Sequence, residues 1–356
     1  MKNKVDGSNV VKSKDAFWQY VRGICIVCVV LIHCKTGIAY ENASSGAWNF
    51  DYWLVMRQFI NFPVAIFIFL AGYFTNIQAA NKLSILYVSK RGARLLIPFL
   101  MWSTFYTLIN VIGTGSDVNI LKTIVKLLLG LSAAHLYYIL VLVQLTILTP
   151  FLIKFIQKNS KFLVFITPVY LFIIYFYVVL FGDQMPFYET FFPAWLIFYY
   201  FGLRVKIRGY NSLFLKNQLR NSILCCCAVL LLSVIEGYGI LEFGFTPGFA
   251  SSQIKVSSFL YAFVLITLLM AIKPYVADVQ IKWLKYLGDN SYGIYFVHYF
   301  WILMINKLLQ LVPTVSEILP AHQFVQVVSA LLLSLISIFI AKQVLGKKLS
   351  SRLLGF

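Results

Sequence analysis

Arg22 and His33 stand eleven residues apart in a stretch, Phe17 to His33, that is otherwise almost wholly apolar. On an α-helix that spacing is about three turns, so both side chains leave one face about 16 Å apart along the axis. An ionisable group deep in an apolar helix is costly unless it is partnered or used. A near-neutral imidazole is the side chain best suited to deprotonate an alcohol, so His33 is the candidate general base. A plainer reading stays open: Arg22 snorkels to a membrane edge, and His33 donates one hydrogen bond to a neighbouring helix.

The second cationic group is Lys90-Arg91-Gly92-Ala93-Arg94. Arg91 and Arg94 are i and i+3, so on a helix both guanidinium groups project from one face, with Lys90 beside them, a pattern able to grip phosphate or pyrophosphate. Basic residues ahead of a membrane span are also what orientation alone demands. Three further places carry polar groups. His135 opens His135-Leu136-Tyr137-Tyr138, where the aromatics also suit an interfacial belt. Ser291-Tyr292-Gly293-Ile294-Tyr295-Phe296-Val297-His298 puts a histidine two turns into a helix that Asp289, Asn290 or Ser291 would cap. Glu236 and Glu242 either orient a sugar hydroxyl or face water.

The elements that must position these groups are membrane helices. Of 356 residues 60% are hydrophobic and 12% charged, and the mean hydropathy is +0.82, far above a soluble domain. Apolar runs long enough to span a bilayer recur at about 17–38, 58–76, 95–113, 135–155, 162–182, 190–204, 221–240, 256–272, 291–311 and 323–343. The expected fold is therefore all-α and polytopic, with about ten transmembrane helices in one domain over 1–356. A short polar tail of about 1–15 precedes a retained first span without a cleavage site. Leu121 to Leu131, shorter and carrying Lys122 and Lys126, reads as an interfacial or re-entrant helix.

If the N-terminus is cytoplasmic, only Lys35, Arg57, Lys122, Lys126, Lys255 and Lys307 of the 30 Lys and Arg fall outside. That bias places both termini in the cytoplasm, with Arg22 and the Lys90 to Arg94 cluster at the same inner edge. The net charge of +18 then follows from orientation and anionic lipid, with no call for nucleic acid. The outer segment from Glu236 to Lys255, rich in Gly and aromatics, reads as a structured surface loop over a cavity. Cys25, Cys28, Cys34 and Cys225 to Cys227 lie in apolar runs and form no disulfide or zinc framework. No Walker, HExxH or GxSxG sequence and no carboxylate-rich cluster is present, so nothing asks for ATP hydrolysis or a metal.

At these residues the chain resembles the membrane-bound acyltransferase-3 family. The family's Arg, ten residues, His signature is matched by Arg22 and His33, and its Arg-x-x-Arg ahead of a Leu/Ile-Pro-Phe run by Arg91 and Arg94 in Arg94-Leu95-Leu96-Ile97-Pro98-Phe99. Phe62-Pro63-Val64 to Ala71-Gly72-Tyr73 is similar to its Val-Pro-Leu-Phe run ending in Ser-Gly-Tyr, with Ala71 for serine. His135-Leu136-Tyr137-Tyr138 is similar to its His-Leu-Trp-Phe, with Tyr137 for tryptophan, and Ser291 to His298 matches a motif near the C-terminus.

The resemblance implies an O-acyltransferase of the bacterial inner membrane that moves acetyl from acetyl-CoA to a glycan or lipid-linked glycan of O-antigen or capsule type. It is similar to the stand-alone kind, without the soluble SGNH-type domain of many relatives. His33 would be the catalytic base or an acyl relay; Arg22 would support it or belong to the donor end. Lys90, Arg91 and Arg94 would bind acyl-CoA. His135, Tyr137, Ser291, Tyr295, His298 and Glu236 would serve the acceptor or support the site. From another class, the same groups would suit a transporter or flippase, or a scaffold subunit that tolerates loss of His33.

Overall fold

The computed structural model describes residues 15–34, 48–82, 84–114, 119–160, 162–210, 218–276, 279–311 and 318–356. The expected tail up to residue 14, Lys35 and the end of the first expected span lie outside them. The described residues form α1 (Ala16–His33), α2 (Trp48–Ile60), α3 (Pro63–Tyr73), α4 (Ile77–Lys82), α5 (Ser84–Thr114), α6 (Ile120–Leu128), α7 (Tyr137–Gln157) and α8 (Ile166–Phe181). There follow α9 (Leu196–Arg208), α10 (Gln218–Glu242), α11 (Pro247–Ala250), α12 (Val256–Ile272), α13 (Lys282–Asp289), α14 (Ser291–Leu309), α15 (Leu319–Val344) and α16 (Gly346–Leu353).

Eight helices among the described residues are long and apolar enough to cross a membrane. The fold is all-α and polytopic. Two expected spans differ from these eight. The 190–204 run begins as 3-10 turns at Tyr188–Thr190 and Phe192–Ala194 and becomes helical only at α9, 13 residues long. Pro193 has no N–H to give a regular helix, and the start of the run folds as 3-10 turns instead. The 291–311 run does form α14, but its tyrosines, histidine, asparagine and lysine dilute it.

The second expected span starts ten residues earlier, at Trp48, and is broken at Asn61-Phe62, where Pro63 opens α3. The break is held from outside: Asn61 Nδ2 donates to the carbonyls of Ser251 and Ser252 at 3.1 and 3.3 Å. Four glycines then set how closely the helices cross. A Cβ on Gly202 of α9 would sit 2.1 Å from Phe69 O of α3, and one on Gly72 of α3 would sit 2.4 Å from Tyr199 O of α9. At the crossing of α1 and α13 the same holds for Gly23, 2.4 Å from Leu284 O, and Gly288, 1.9 Å from Gln19 O. Both crossings bring backbone against backbone, the way apolar helices gain packing energy where lipid offers no hydrophobic drive.

α6 buries none of its side chains and exposes Ile120, Leu121 and Ile124, as an interfacial helix does. The segment from Glu236 to Lys255 is loop only in part, and its Gln253 reaches the cavity described below. α10 continues to Glu242, α11 follows, and Lys255 is fully buried. Its ammonium reaches Gln58 Oε1 at 2.8 Å and Ser233 O at 3.2 Å, with Glu236 at 3.9 Å.

Candidate active site

His33 is the last residue of α1, and His298 lies two turns into α14. His135 precedes α7 in the turn that follows α6. These three imidazoles, of four in the chain, meet. Their ring centroids are 5.4 Å apart for His33 and His298, 5.9 Å for His33 and His135, and 4.9 Å for His135 and His298. Among the described residues no three His, Cys, Asp or Glu side chains converge as metal ligands would.

The cluster is held from three sides. Tyr295, one turn before His298 on α14, donates its hydroxyl to His135 O. Tyr106 of α5 donates to Phe296 O at 2.7 Å, accepts from Phe300 N at 3.1 Å, and packs its ring 5.5 Å from His135. His298 Nδ1 lies 3.0 Å from Ile294 O, and since a carbonyl only accepts, that nitrogen carries the proton and Nε2 keeps its lone pair. Nε2 of His298 and both ring nitrogens of His135 are buried without a hydrogen-bond partner among the described residues. Left without any partner, each such group would cost about 1–3 kcal/mol.

His33 faces a cavity of about 150 Å³, which His135, Tyr137, Tyr138, Tyr295, Arg57, Glu189 and Gln253 also line. Sequence reading missed Arg57, Glu189 and Gln253. Arg57 Nη2 donates to Ser251 O at 3.2 Å. Glu189 is carried inward by the 3-10 turn ahead of α9; burial pushes its carboxyl up, against the pull of Arg57 and a hydrogen bond with Tyr188. Gln253 donates to the Tyr137 hydroxyl. The available signal was charge scarcity: with 12 Asp and Glu in all, an acid flanked by aromatics in an apolar run was worth marking.

At the other end of α1, Arg91 and Arg22 serve the fold. Arg91 donates to Ala71 O and Thr75 Oγ1, both at 2.9 Å, and to the Tyr87 hydroxyl. Ala71 is in the last turn of α3, so Arg91 caps that helix's carbonyl end, where a cation is favoured. Arg22 lies over the ring of Phe74, the C-cap of α3, at 5.2 Å. Lys90 and Arg94 are exposed and line, with Arg91, Tyr87 and Phe74, a groove of about 570 Å³. Pro98 inside α5 deprives Arg94 O of its helical donor, and the Tyr292 hydroxyl takes that place at 3.4 Å. Tyr138 of α7 lines the histidine cavity and packs its ring 5.5 Å from that of Tyr295.

Two expected site residues lie elsewhere. Ser291 turns its hydroxyl back on Gly288 O at 2.8 Å, at the start of α14. Glu236 does not line the cavity: it accepts from the Tyr175 hydroxyl at 2.5 Å and from the N–H and hydroxyl of Ser257. The N-cap position of α14 is Asn290, yet its side chain gives no cap; it bonds Tyr286 O and Lys342.

No curated protein and no solved structure gives a match. Residues 15–342 match the family model described as an acyltransferase domain, acyltransferase family 3. That match runs over nearly the whole chain, through all three histidines and both arginine groups. The chain belongs to acyltransferase family 3 and is a multi-pass membrane protein of that family.

Proposed function

We propose that the chain is an integral-membrane O-acyltransferase that moves acetyl from cytosolic acetyl-CoA to a hydroxyl of a cell-surface or lipid-linked glycan, of O-antigen or capsule type. It would sit in a bacterial inner membrane with both termini cytoplasmic. One observation carries the reading: His33 opens onto a small polar cavity at one end of α1, while Lys90 and Arg94 stand exposed in a groove toward the other end. The CoA phosphates would lie on Lys90 and Arg94, with the pantetheine arm running along α1 past Tyr138.

In the direct route a nitrogen of His33 takes the proton of the acceptor hydroxyl as its oxygen attacks the thioester carbon. The tetrahedral oxyanion would be met by Arg57, the cation lining the same cavity. Collapse breaks the carbon–sulfur bond, the ester stays on the glycan, and the proton returns to the CoA sulfur. His135 and His298 provide further nitrogens to which that proton can pass. In the relay route His33 itself carries the acetyl group between donor and acceptor.

The test is transfer of radiolabel from acetyl-CoA to extracted glycan in membranes bearing the chain, with release of the label by mild alkali. Label in the glycan, lost with His33→Ala, is expected. Glycan that changes sides of the membrane without gaining a covalent acetyl group would establish a transporter instead.

A further inference from the structure

On the face of the molecule formed by α8, α9 and α12 lie two adjoining cavities that the acyl-transfer site does not use. The upper, about 570 Å³, is walled by Pro168, Phe172, Phe198, Phe259 and Leu260, and nearly all its surface is apolar. The lower, about 670 Å³, contains Asn159, Tyr200, Arg204 and Arg208 and no acidic residue. Ile197 and Phe263 line both, so the two form one groove. On α9, Ile197, Phe201, Arg204 and Arg208 are i, i+4, i+7 and i+11, a single helix face that grades from apolar to cationic over about 16 Å.

The two arginines are not equivalent. Arg208 is committed to the carbonyls of Ile156 and Gln157, where it caps the end of α7. Arg204 is half-buried in the groove and makes no hydrogen bond or ion pair among the described residues. α9 has 13 residues, about 20 Å of helix, which is too short to cross the roughly 30 Å hydrocarbon layer. Beyond its start, α8 and α12 therefore keep an apolar cleft between them that opens sideways. Phe172 at its rim is 70% exposed and Leu260 45% exposed. In a membrane, what meets that rim is acyl chain.

We propose that this groove seats one anionic glycerophospholipid, its phosphate on Arg204 and an acyl chain between α8, α9 and α12. The cation stands at the same end of the molecule as Lys154 and Lys158, where headgroups of an anionic leaflet would gather. An apolar cleft continuous with an uncommitted guanidinium matches both halves of such a lipid, whereas a free phosphate would use only the lower half.

The test is native mass spectrometry of the full chain in detergent. It is equilibrated with phosphatidylglycerol or with phosphatidylcholine of identical chains, and separately with inorganic phosphate. Retention of one phosphatidylglycerol, favoured about fivefold over phosphatidylcholine, is expected from one cation at a membrane surface. Arg204→Gln should remove the preference and Arg204→Lys keep it. Leu260→Trp, which fills the cleft from its lipid side, should lower retention of both lipids. Equal retention of the two lipids by the unaltered chain, an unchanged preference in Arg204→Gln, or displacement of the lipid by inorganic phosphate would each overturn the proposal. Acetyl transfer is not the readout, so this result stands apart from the enzymatic reading.

Discussion

At the Arg22 end of α1, two cations are spent on structure: Arg91 donates hydrogen bonds to Ala71 O, Thr75 and Tyr87, and Arg22 covers Phe74. At the His33 end, eleven residues on, His135 has both ring nitrogens open and His298 has one. Both ends look alike in sequence, as ionisable residues in apolar surroundings. They differ in whether the fold uses up their hydrogen bonds. A cation that caps a helix lowers the energy of the folded state, and a buried imidazole without a partner raises it. Groups of the second kind are retained against stability, which points to chemistry.

That contrast is best broken by asking each end for both stability and activity. His33→Ala should lower acetyl transfer by about 10²–10⁴-fold with an unchanged melting temperature in detergent; full activity would remove His33 from catalysis. Arg91→Ala should do the reverse in its first effect. Losing three charge-assisted hydrogen bonds and the cap on α3 should cost about 3 kcal/mol in unfolding free energy, and Arg91→Lys should recover little, because an ammonium lacks the planar fork.

His135→Phe keeps a ring in the cluster and deletes two unpartnered nitrogens. It should raise stability by about 1 kcal/mol while activity falls, and a gain in stability with activity intact would mark His135 as packing alone. Arg94→Gln should raise the KM for acetyl-CoA about fivefold and leave the melting temperature where it was. The smallest effect is one of pH. Burial pushes the Lys255 ammonium down to about 8, with Glu236 opposing and Arg57 adding to the shift. The unfolded chain keeps that proton to about 10.4, so from pH 8 to 9 the unfolded state binds more protons and stability rises with pH by about 1 kcal/mol. Lys255→Met should flatten this slope in thermal unfolding.

Most of the helices were legible because spanning a bilayer needs long apolar runs, and α7, α10 and α12 fall close to where hydropathy puts them. α2 was not, since Asp51 and Arg57 dilute it; their partners Tyr238 and Ser251 lie far along the chain. The run near 190 is regular helix only from Leu196, because Pro193 holds its start in 3-10 turns. Within the site, His33, His135 and His298 were each visible alone, but their meeting needs three segments to fold together. Arg57 carries no local pattern, and Glu189 only that of a rare acid among aromatic residues. Glu236 looked free because its partners, Tyr175, Ser257 and Lys255, come from other segments.

The crossing of α1 with α13 has a consequence for donor choice. With carbonyl oxygens of Leu284 and Gln19 set against Gly23 and Gly288, α1 cannot slide along its neighbour without backbone collision. On the proposed reading it is then a gauge of fixed length, with the donor's phosphates at one mark and the reacting carbon at the other. Thioesters would be sorted by reach before any contact with the acyl group itself, and a donor with a shortened pantetheine arm would dock its nucleotide and never meet the imidazole.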